Sequence, residues 1–145
     1  MKRRFLAASL AALFLIATGS AQATSPRSVE ARIDKSAQTM SVYVDGWHRY
    51  TWPVSTARRG KITPSGRFTA QWLSKNHRSS RYDNAPMPYS IFYSGHYAVH
   101  GTNQISRLGR PASAGCVRLH PDNARILFEL TRAVGKDNMT VIVGD

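Results

Sequence analysis

The chain has 145 residues, one cysteine and a formal net charge of +12, from 20 Lys+Arg against 8 Asp+Glu. A single cysteine excludes an internal disulfide framework, and the length suits one domain with one modest core. The positive charge favours an anionic partner. A carboxylate-rich cell-wall polymer or a membrane surface fits an exported protein better than nucleic acid does.

The first 23 residues have the three parts of a secretory signal peptide. Lys2, Arg3 and Arg4 form a basic region, residues 5–17 are almost unbroken apolar, and residues 21–23 are a small-residue cleavage site, Ala-Gln-Ala. A spanning helix needs about 20 apolar residues, so the competing hypothesis of an uncleaved anchor is disfavoured. We therefore expect a periplasmic or cell-wall-associated protein with no membrane span after cleavage. Removing three of the 20 basic residues leaves 17 against 8 acidic ones, a formal charge of +9.

After cleavage we expect a short linker over 24–30 and one folded domain over 31–145. Period-two alternation and short apolar runs predict strands over 38–44, 47–54, 67–73, 88–93, 97–99 and 139–143. Asp45-Gly46 is a strong hairpin-turn signal, and Pro53 makes the following strand an edge strand or ends it early.

One helix is predicted over 121–134, because Pro121 suits a first helical position and apolar residues recur at helical spacing, with Gly135 as its cap. Residues 74–86 lack periodicity and predict a long loop of the kind that forms lids. Because hairpin signals dominate, we expect a mainly β fold, a sandwich or partly closed barrel, with one clear α-helix near the C-terminus.

The residues that carry chemistry lie between His100 and His120, in the stretch HGTNQISRLGRPASAGCVRLH. A cysteine attacks a carbonyl as its thiolate and not as its thiol, and a nearby imidazole can take the thiol proton. Cys116 is therefore the candidate nucleophile and His100 its base. No acidic residue lies between them. A backbone carbonyl, of Gly101 or a neighbour, is therefore expected to orient the imidazole.

Two further roles follow from residues beside the cysteine. A small, glycine-containing approach lets a substrate carbonyl come close, so the amides of Gly115 and Cys116 are candidates for an oxyanion hole. Arg118 lies two residues after the cysteine, on the same side of an extended segment, where a guanidinium can bind a substrate carboxylate.

Two other interpretations of the same residues remain open. Cys116 can be an inert core thiol, the usual state of a free cysteine. A zinc site would use His96, His100 and His120, but structural zinc ligands come at short paired spacings, and residues 97–99 have a strand pattern rather than the helix that an i, i+4 pair needs. We expect no metal and no cofactor. Other histidines, arginines and tryptophans are assigned to solvated loops (His48, His77, Arg58, Arg59) or to core and surface platforms (Trp47, Trp52, Trp72).

The order of these motifs resembles the L,D-transpeptidase catalytic domain of the YkuD type. The resemblance is carried by the His-Gly-Thr of 100–102 and the Ser-Ala-Gly-Cys-Val-Arg-Leu of 113–119, with the Thr-Pro-Ser-Gly turn of 63–66 and the Met-Pro-Tyr of 87–89 in support. It implies a β-rich sandwich-like fold. It also implies that Cys116 forms an acyl-enzyme with a peptidoglycan stem tetrapeptide, releasing D-alanine, and passes the acyl group to an acceptor amine.

The resemblance also implies a set of site residues. Gly101 matches the position whose carbonyl orients the histidine, and Gly115 lies in the oxyanion region. The same oxyanion and substrate-binding set is completed by four residues: Ser113, Arg118, Tyr89 and His96. Many family members have His or Lys where this chain has Ala114. The expected partners are peptidoglycan stem peptides, with carbapenem-type β-lactams as inhibitors, and we expect a monomer.

Two rival functions fit the same sequence. Water can resolve the acyl-enzyme, which would make the protein an L,D-carboxypeptidase or a cross-link hydrolase. The other rival is a non-catalytic cationic wall-binding module that has kept an inert thiol.

Overall fold

The computed structural model describes residues 19–145, so most of the predicted signal peptide lies outside the described residues. This part of the chain contains nine strands, one α-helix and two short 3₁₀ helices. The strands are β1 Val29–Asp34, β2 Thr39–Val44, β3 Trp47–Pro53, β4 Gly66–Thr69, β5 Trp72–Arg78, β6 Pro86–Ser94, β7 Tyr97–Gly101, β8 Val117–Leu119 and β9 Met139–Gly144; the helices are α1 Pro121–Val134 and the 3₁₀ turns Ile105–Arg107 and Lys136–Asn138. No helix within residues 19–145 is both long enough and apolar enough to cross a bilayer.

The first sheet has five strands in the order β3-β2-β1-β9-β4. All neighbours are antiparallel except β1 and β9, which run parallel. Alternate residues face the core, so Val42 of β2 and Val141 of β9 are fully buried. Asp45 and Gly46 both have positive φ (51° and 82°), which confirms the predicted hairpin turn, and β3 is an edge strand as Pro53 predicts.

The second sheet has four strands in the order β5-β6-β7-β8, with β7 and β8 parallel. Helix α1 packs against β6 and β7 and buries Leu127 and Phe128 in the common core. It begins and ends where predicted: the His120 ring accepts a hydrogen bond from the Asp122 amide, and Gly135 follows the last turn with φ of 84°. The fold is thus mainly β with two sheets, and neither sheet closes into a barrel within the described chain.

Strand β1 was not predicted, and the proposed linker over 24–30 is two residues too long. Val29 and Glu30 already belong to β1, which pairs with β2 on one side and β9 on the other. Charged residues alternate with Val29, Ala31 and Ile33, which are buried at 3% exposure or less. The alternation is present in the sequence, but its small and charged members carry a weak strand signal.

The predicted strand over 67–73 is two strands in two sheets. The chain passes from the first sheet to the second between Ala70 and Gln71. The Ala70 N–H donates to the Met139 carbonyl (2.9 Å), and the Gln71 N–H donates to the Phe92 carbonyl (2.8 Å). Alternation continues across this point although the hydrogen-bonding partner changes from β9 to β6. Side-chain pattern alone therefore does not reveal the crossing.

The predicted loop over 74–86 is wrong in part. Residues 74–78 belong to β5, which pairs with β6 from Trp72↔Phe92 to Arg78↔Pro86. Residues 79–85 form the connecting turn, in which Asp83 and Asn84 have positive φ. Strand β5 lies at the edge of its sheet, and its residues 74–78 are all polar or charged, so apolar alternation does not reveal it.

Candidate active site

The nucleophile and the base candidates are brought together by the parallel pair β7–β8. His100 is in register with Arg118, and side chains in register on neighbouring strands share a face of the sheet. Cys116 lies two residues before Arg118, which gives it the same face. All three residues line one cavity of about 490 Å³.

His100 is 6% exposed, and its Nδ1 lies 2.7 Å from the Gly101 carbonyl oxygen. A carbonyl only accepts, so Nδ1 carries the hydrogen and Nε2 is the basic nitrogen. Burial lowers the pKa of His100 to about 4, although the hydrogen bond to Gly101 acts in the opposite direction. At neutral pH the imidazole is therefore neutral and able to accept a proton.

The Cys116 thiol is half-buried, and its Sγ lies 3.8 Å from the His96 carbonyl oxygen. Burial raises the pKa of Cys116, while a hydrogen bond from the Ala98 amide and the charge of Arg118 act to lower it. A raised thiol pKa and a lowered imidazole pKa both favour the uncharged forms. The resting site is therefore a neutral thiol with a neutral imidazole.

The backbone before the cysteine is held by two buried hydroxyl groups. Ser113 Oγ accepts from the Gly115 N–H (3.0 Å) and donates to the Cys116 carbonyl (2.6 Å). Thr63 Oγ1 donates to the Gly115 carbonyl (2.8 Å) and accepts from the Ala57 N–H (2.9 Å). Thr63 thus connects the Thr-Pro-Ser-Gly turn to the nucleophile, a role that the sequence analysis missed.

These bonds refine two predicted roles. Ser113 lines the cavity, but it is fully buried and its hydroxyl is engaged with Gly115 and Cys116, so it positions the nucleophile. The Gly115 N–H is donated to Ser113, so only the Cys116 amide of the predicted pair is left for an oxyanion.

Gly115 leaves no room for a side chain, and Gly101 leaves little. Gly115 has φ of +140°, and an added Cβ would lie 2.7 Å from Tyr97 Cε1 and 2.9 Å from the Ile62 carbonyl oxygen. A Cβ on Gly101 would lie 3.1 Å from backbone Cα of Pro121. Close packing at both positions fixes the backbone on either side of the Cys116–His100 pair.

Arg118 is half-buried and has a neutral partner: its Nη1 donates to Gln104 Oε1 at 3.0 Å. Burial lowers the pKa of Arg118, and the neighbouring charges of Arg107 and Arg58 lower it further. The guanidinium stays protonated because its ordinary pKa is so high. It therefore places a positive charge inside the cavity beside Cys116.

The structure separates the two remaining predicted substrate contacts. His96 is exposed and lines the cavity. Tyr89 does not line it: its backbone has φ of 55°, and its ring packs against Phe128 of α1 at 5.6 Å. The predicted substrate role of Tyr89 is therefore wrong, because the unusual backbone turns the ring toward the helix.

Strand β5 supplies an aromatic wall that the sequence analysis did not identify. Trp72 stacks on Phe92 with ring centroids 3.8 Å apart and an interplanar angle of 1°. His77 contacts both rings edge-on and lines the cavity with them. His77 is therefore a strand residue of the cavity wall and not a solvated loop residue as predicted. Arg58 is an exposed loop residue as predicted, and it also lines the cavity.

No group of three His, Cys, Asp or Glu side chains within residues 19–145 is arranged to hold a metal ion. His120, one of the three candidate zinc ligands, caps α1 by accepting from the Asp122 amide at 3.1 Å.

The sequence matches the family model of the L,D-transpeptidase catalytic domain, YkuD, over residues 28–143. A protein of Bacillus subtilis (strain 168) that bears the name L,D-transpeptidase YkuD is 26% identical over 88 residues, which are 58% of this chain and 49% of that protein. YqjB of the same organism is 26% identical over 110 residues, 67% of this chain and 62% of YqjB. The chain thus spans between about half and three fifths of the length of these relatives.

Solved structures share the fold. An L,D-transpeptidase from Mycobacterium smegmatis aligns with a TM-score of 0.71 at 24% identity, covering 81% of this chain and 58% of that chain. L,D-transpeptidase 3 from Mycobacterium tuberculosis, solved with a faropenem-derived adduct, aligns with a TM-score of 0.72 at 19% identity, covering 81% and 60%. These findings confirm the resemblance: the chain belongs to the YkuD family of L,D-transpeptidase catalytic domains.

Proposed function

We propose that the chain is an L,D-transpeptidase in which Cys116 forms an acyl-enzyme with a peptidoglycan stem tetrapeptide. One observation carries the proposal: Cys116 lies in one cavity with His100, whose Nε2 is left free because Nδ1 donates to the Gly101 carbonyl. A thiol, an unprotonated ring nitrogen and a nearby positive charge on Arg118 are the groups that acyl transfer from a carboxylate-bearing peptide requires.

In the first half-reaction His100 Nε2 takes the thiol proton, and Cys116 Sγ attacks the carbonyl carbon of the amide before the terminal D-alanine. The negative charge that develops on the carbonyl oxygen is stabilised by the Cys116 amide. The carbon–nitrogen bond then breaks, and the imidazolium gives its proton to the leaving nitrogen. D-Alanine departs, and a thioester joins the peptide to Cys116.

In the second half-reaction an acceptor amine attacks the thioester carbonyl and gives a proton to His100 Nε2. The carbon–sulfur bond breaks, and the Cys116 thiolate takes the proton back from the imidazolium. The product has one new amide bond, and both catalytic groups return to their uncharged resting forms. Such a transfer would cross-link stem peptides or attach a protein to them.

Forming the thiolate–imidazolium pair from the neutral resting state of the site costs free energy. Because burial disfavours both thiolate and imidazolium, the ion pair forms at a cost that a bound substrate must offset. The charge of Arg118 lowers the pKa of Cys116 and raises the energy of the imidazolium. A substrate carboxylate on Arg118 would neutralise that charge and so favour protonation of His100.

We also propose export and cell-wall localisation, on the basis of the signal-like sequence of residues 1–23 and the basic charge of the chain. Since a structure of L,D-transpeptidase 3 from Mycobacterium tuberculosis contains an adduct derived from the β-lactam faropenem, we propose that β-lactams, including the carbapenem type implied by the resemblance, acylate Cys116 in the same way that substrate does.

Purified protein incubated with disaccharide-tetrapeptide muropeptides, with products separated by mass, tests the function. We expect cross-linked dimers and free D-alanine, and neither product with Cys116→Ala. Shortened monomers without dimers would instead identify a carboxypeptidase. The absence of any product, with the wild-type protein folded and bound to cell walls, would contradict the enzymatic function and favour a binding module.

A further inference from the structure

The rim of the cavity on the side of Arg118 carries positive charge without any compensating carboxylate. Arg58 and Arg118 line the cavity, as does Arg81 on the turn after β5, and no Asp or Glu does so in the part of the chain that the structure describes. Arg107 does not line the cavity itself. It follows Gln104, the hydrogen-bond partner of Arg118, by one short 3₁₀ turn, and the Arg107 N–H donates to the Gln104 carbonyl (3.0 Å). We call Arg58, Arg107 and Arg118 the arginine rim.

The position of Arg58 in the rim is fixed by backbone hydrogen bonds. Ser55 and Arg118 exchange N–H to carbonyl bonds of 3.1 and 2.9 Å, and the Arg58 N–H donates to the Ser113 carbonyl at 2.9 Å. The segment 55–58 therefore runs alongside both β8 and residues 113–116, which we call the nucleophile loop. The Arg58 side chain is exposed, but the hydrogen bond from the Arg58 N–H to the Ser113 carbonyl holds its backbone against the nucleophile loop.

The charges of Arg107 and Arg58 act on Arg118. Both lower the pKa of Arg118, after the larger effect of burial. None of the ion pairs found within residues 19–145 includes a member of the rim; each lies elsewhere on the molecule. Grouped like charges without a partner repel one another, and an anionic ligand removes that repulsion.

We propose that the arginine rim binds two carboxylates of the acyl donor at once, and that Arg58 and Arg107 recognise the one farther from the reacting amide. This inference rests on the proposed function and specifies its substrate: donor peptides with two free carboxylates are accepted, and donors with the remote carboxylate converted to a carboxamide are disfavoured. Arg118, which shares a face with Cys116, binds the nearer carboxylate. The aromatic wall of Trp72 and Phe92 lies elsewhere in the same cavity and offers apolar contact to the uncharged part of the donor.

A general attraction of anions to a basic surface makes a different prediction. Long-range steering depends on net charge, is screened by salt, and responds similarly to the loss of any exposed arginine. A site that binds a carboxylate with directed guanidinium hydrogen bonds discriminates between carboxylate and carboxamide at one position. It also loses that discrimination only when its own arginines are changed.

The test compares two matched donor tetrapeptides, one with all carboxylates free and one with the remote carboxylate as a carboxamide. The measured quantity is kcat/KM for D-alanine release by wild type, Arg58→Gln, Arg107→Gln and the control Arg125→Gln, whose side chain is exposed on α1. We expect wild type and Arg125→Gln to prefer the free acid by about 10-fold or more. Arg58→Gln and Arg107→Gln should slow the free acid toward the rate of the carboxamide, so that the ratio of the two kcat/KM values falls toward one.

Equal kcat/KM for the two donors with wild type would overturn the inference while leaving the transpeptidase function intact. A preference that survives in both rim variants, or that falls equally in Arg125→Gln, would also overturn it, in favour of another recognition element or of general steering. If wild type releases D-alanine from neither donor, the proposed function itself fails, and the inference fails with it. Thermal unfolding of each variant verifies that the fold is retained.

Discussion

The two sheets of this molecule have different tasks. Every strand residue that lines the cavity belongs to the second sheet, β5-β6-β7-β8, and none belongs to β3-β2-β1-β9-β4. The first sheet buries aliphatic side chains such as Ala31, Val42 and Val141, all fully enclosed. The second buries polar groups as well, including His100 and the Tyr93 hydroxyl, which is without a hydrogen-bond partner in the described chain.

The first sheet mainly stabilises the fold, and the second sheet holds the groups that carry the chemistry. Apolar burial in the first sheet stabilises the fold by about 25 cal/mol per Å². Burial of a polar group in the second sheet is unfavourable unless a hydrogen bond compensates it, and the same burial shifts pKa values. Substitutions in the two sheets should therefore separate: those in the first affect stability alone, and those near the nucleophile loop affect stability and activity together.

The largest effect on both properties is expected for Gly115→Ala. The new Cβ would have to displace Tyr97 and the Ile62 carbonyl, at a φ that side chains rarely adopt. We expect a loss of about 3 kcal/mol or more in unfolding free energy, measured by urea denaturation, and almost complete loss of D-alanine release. The control Gly46→Asn keeps a positive φ at an open turn. A folded, fully active Gly115→Ala protein would contradict the close packing.

A pH-dependent effect is expected from His100. Its pKa is about 4 in the folded protein against 6.5 for an ordinary histidine. Between these values the unfolded chain binds a proton that the folded protein does not, so the unfolding free energy falls as the pH falls from about 6.5 to about 4. The contribution is complete above pH 6.5 and amounts to about 3 kcal/mol.

The measurement compares unfolding free energies of wild type and His100→Gln at a series of pH values. The advantage of wild type over the variant should shrink on acidification across this window. The control His48→Gln replaces an exposed ring. Parallel stability curves for wild type and His100→Gln would contradict the buried neutral imidazole.

A smaller effect is expected for Thr63→Val, which keeps the shape of the side chain but removes its hydroxyl. The Gly115 carbonyl and the Ala57 N–H lose their partner, and such losses destabilise by about 1–3 kcal/mol. Because the Gly115 carbonyl precedes the nucleophile, kcat should fall as well. The matched control is Thr140→Val in β9 of the first sheet. Equal kcat in Thr63→Val and wild type would show that this bond does not position Cys116.

The smallest effect on activity is expected for Val141→Ala in the first sheet. Removing two buried methyl groups should destabilise the protein by about 2 kcal/mol, measured by urea denaturation. The kcat/KM per folded molecule should not change, because Val141 contacts the core and not the cavity. A specific loss of activity in this variant would show that the two sheets are coupled.

Local signals predicted much of the fold. The Asp45-Gly46 turn, the α1 boundaries at Pro121 and Gly135, and the edge position of β3 each follow from residues adjacent in sequence. The crossing at Ala70–Gln71 was missed because it consists of a change in backbone partners, which leaves no trace in side-chain alternation.

The candidate site was predicted in the same uneven way. Cys116, His100 and Gly101 were identified because their chemistry is local and their motif is recognisable. Thr63, Trp72, His77 and Arg58 come from distant strands and loops, and only the pairing of segments in three dimensions brings them to the cavity. Tyr89 was misassigned because a positive φ, not its neighbours in sequence, decides where its ring points.

The central claim is that Cys116 becomes covalently acylated, and intact-protein mass spectrometry tests it most directly. Wild-type protein mixed with a tetrapeptide donor whose own free amines are blocked, so that no acceptor amine is present, should gain the mass of the donor minus D-alanine. Peptide mapping should place the added mass on Cys116. In Cys116→Ser the rate of D-alanine release should fall by about four orders of magnitude. Release of D-alanine at the wild-type rate by Cys116→Ser, or an adduct on another residue, would contradict the account.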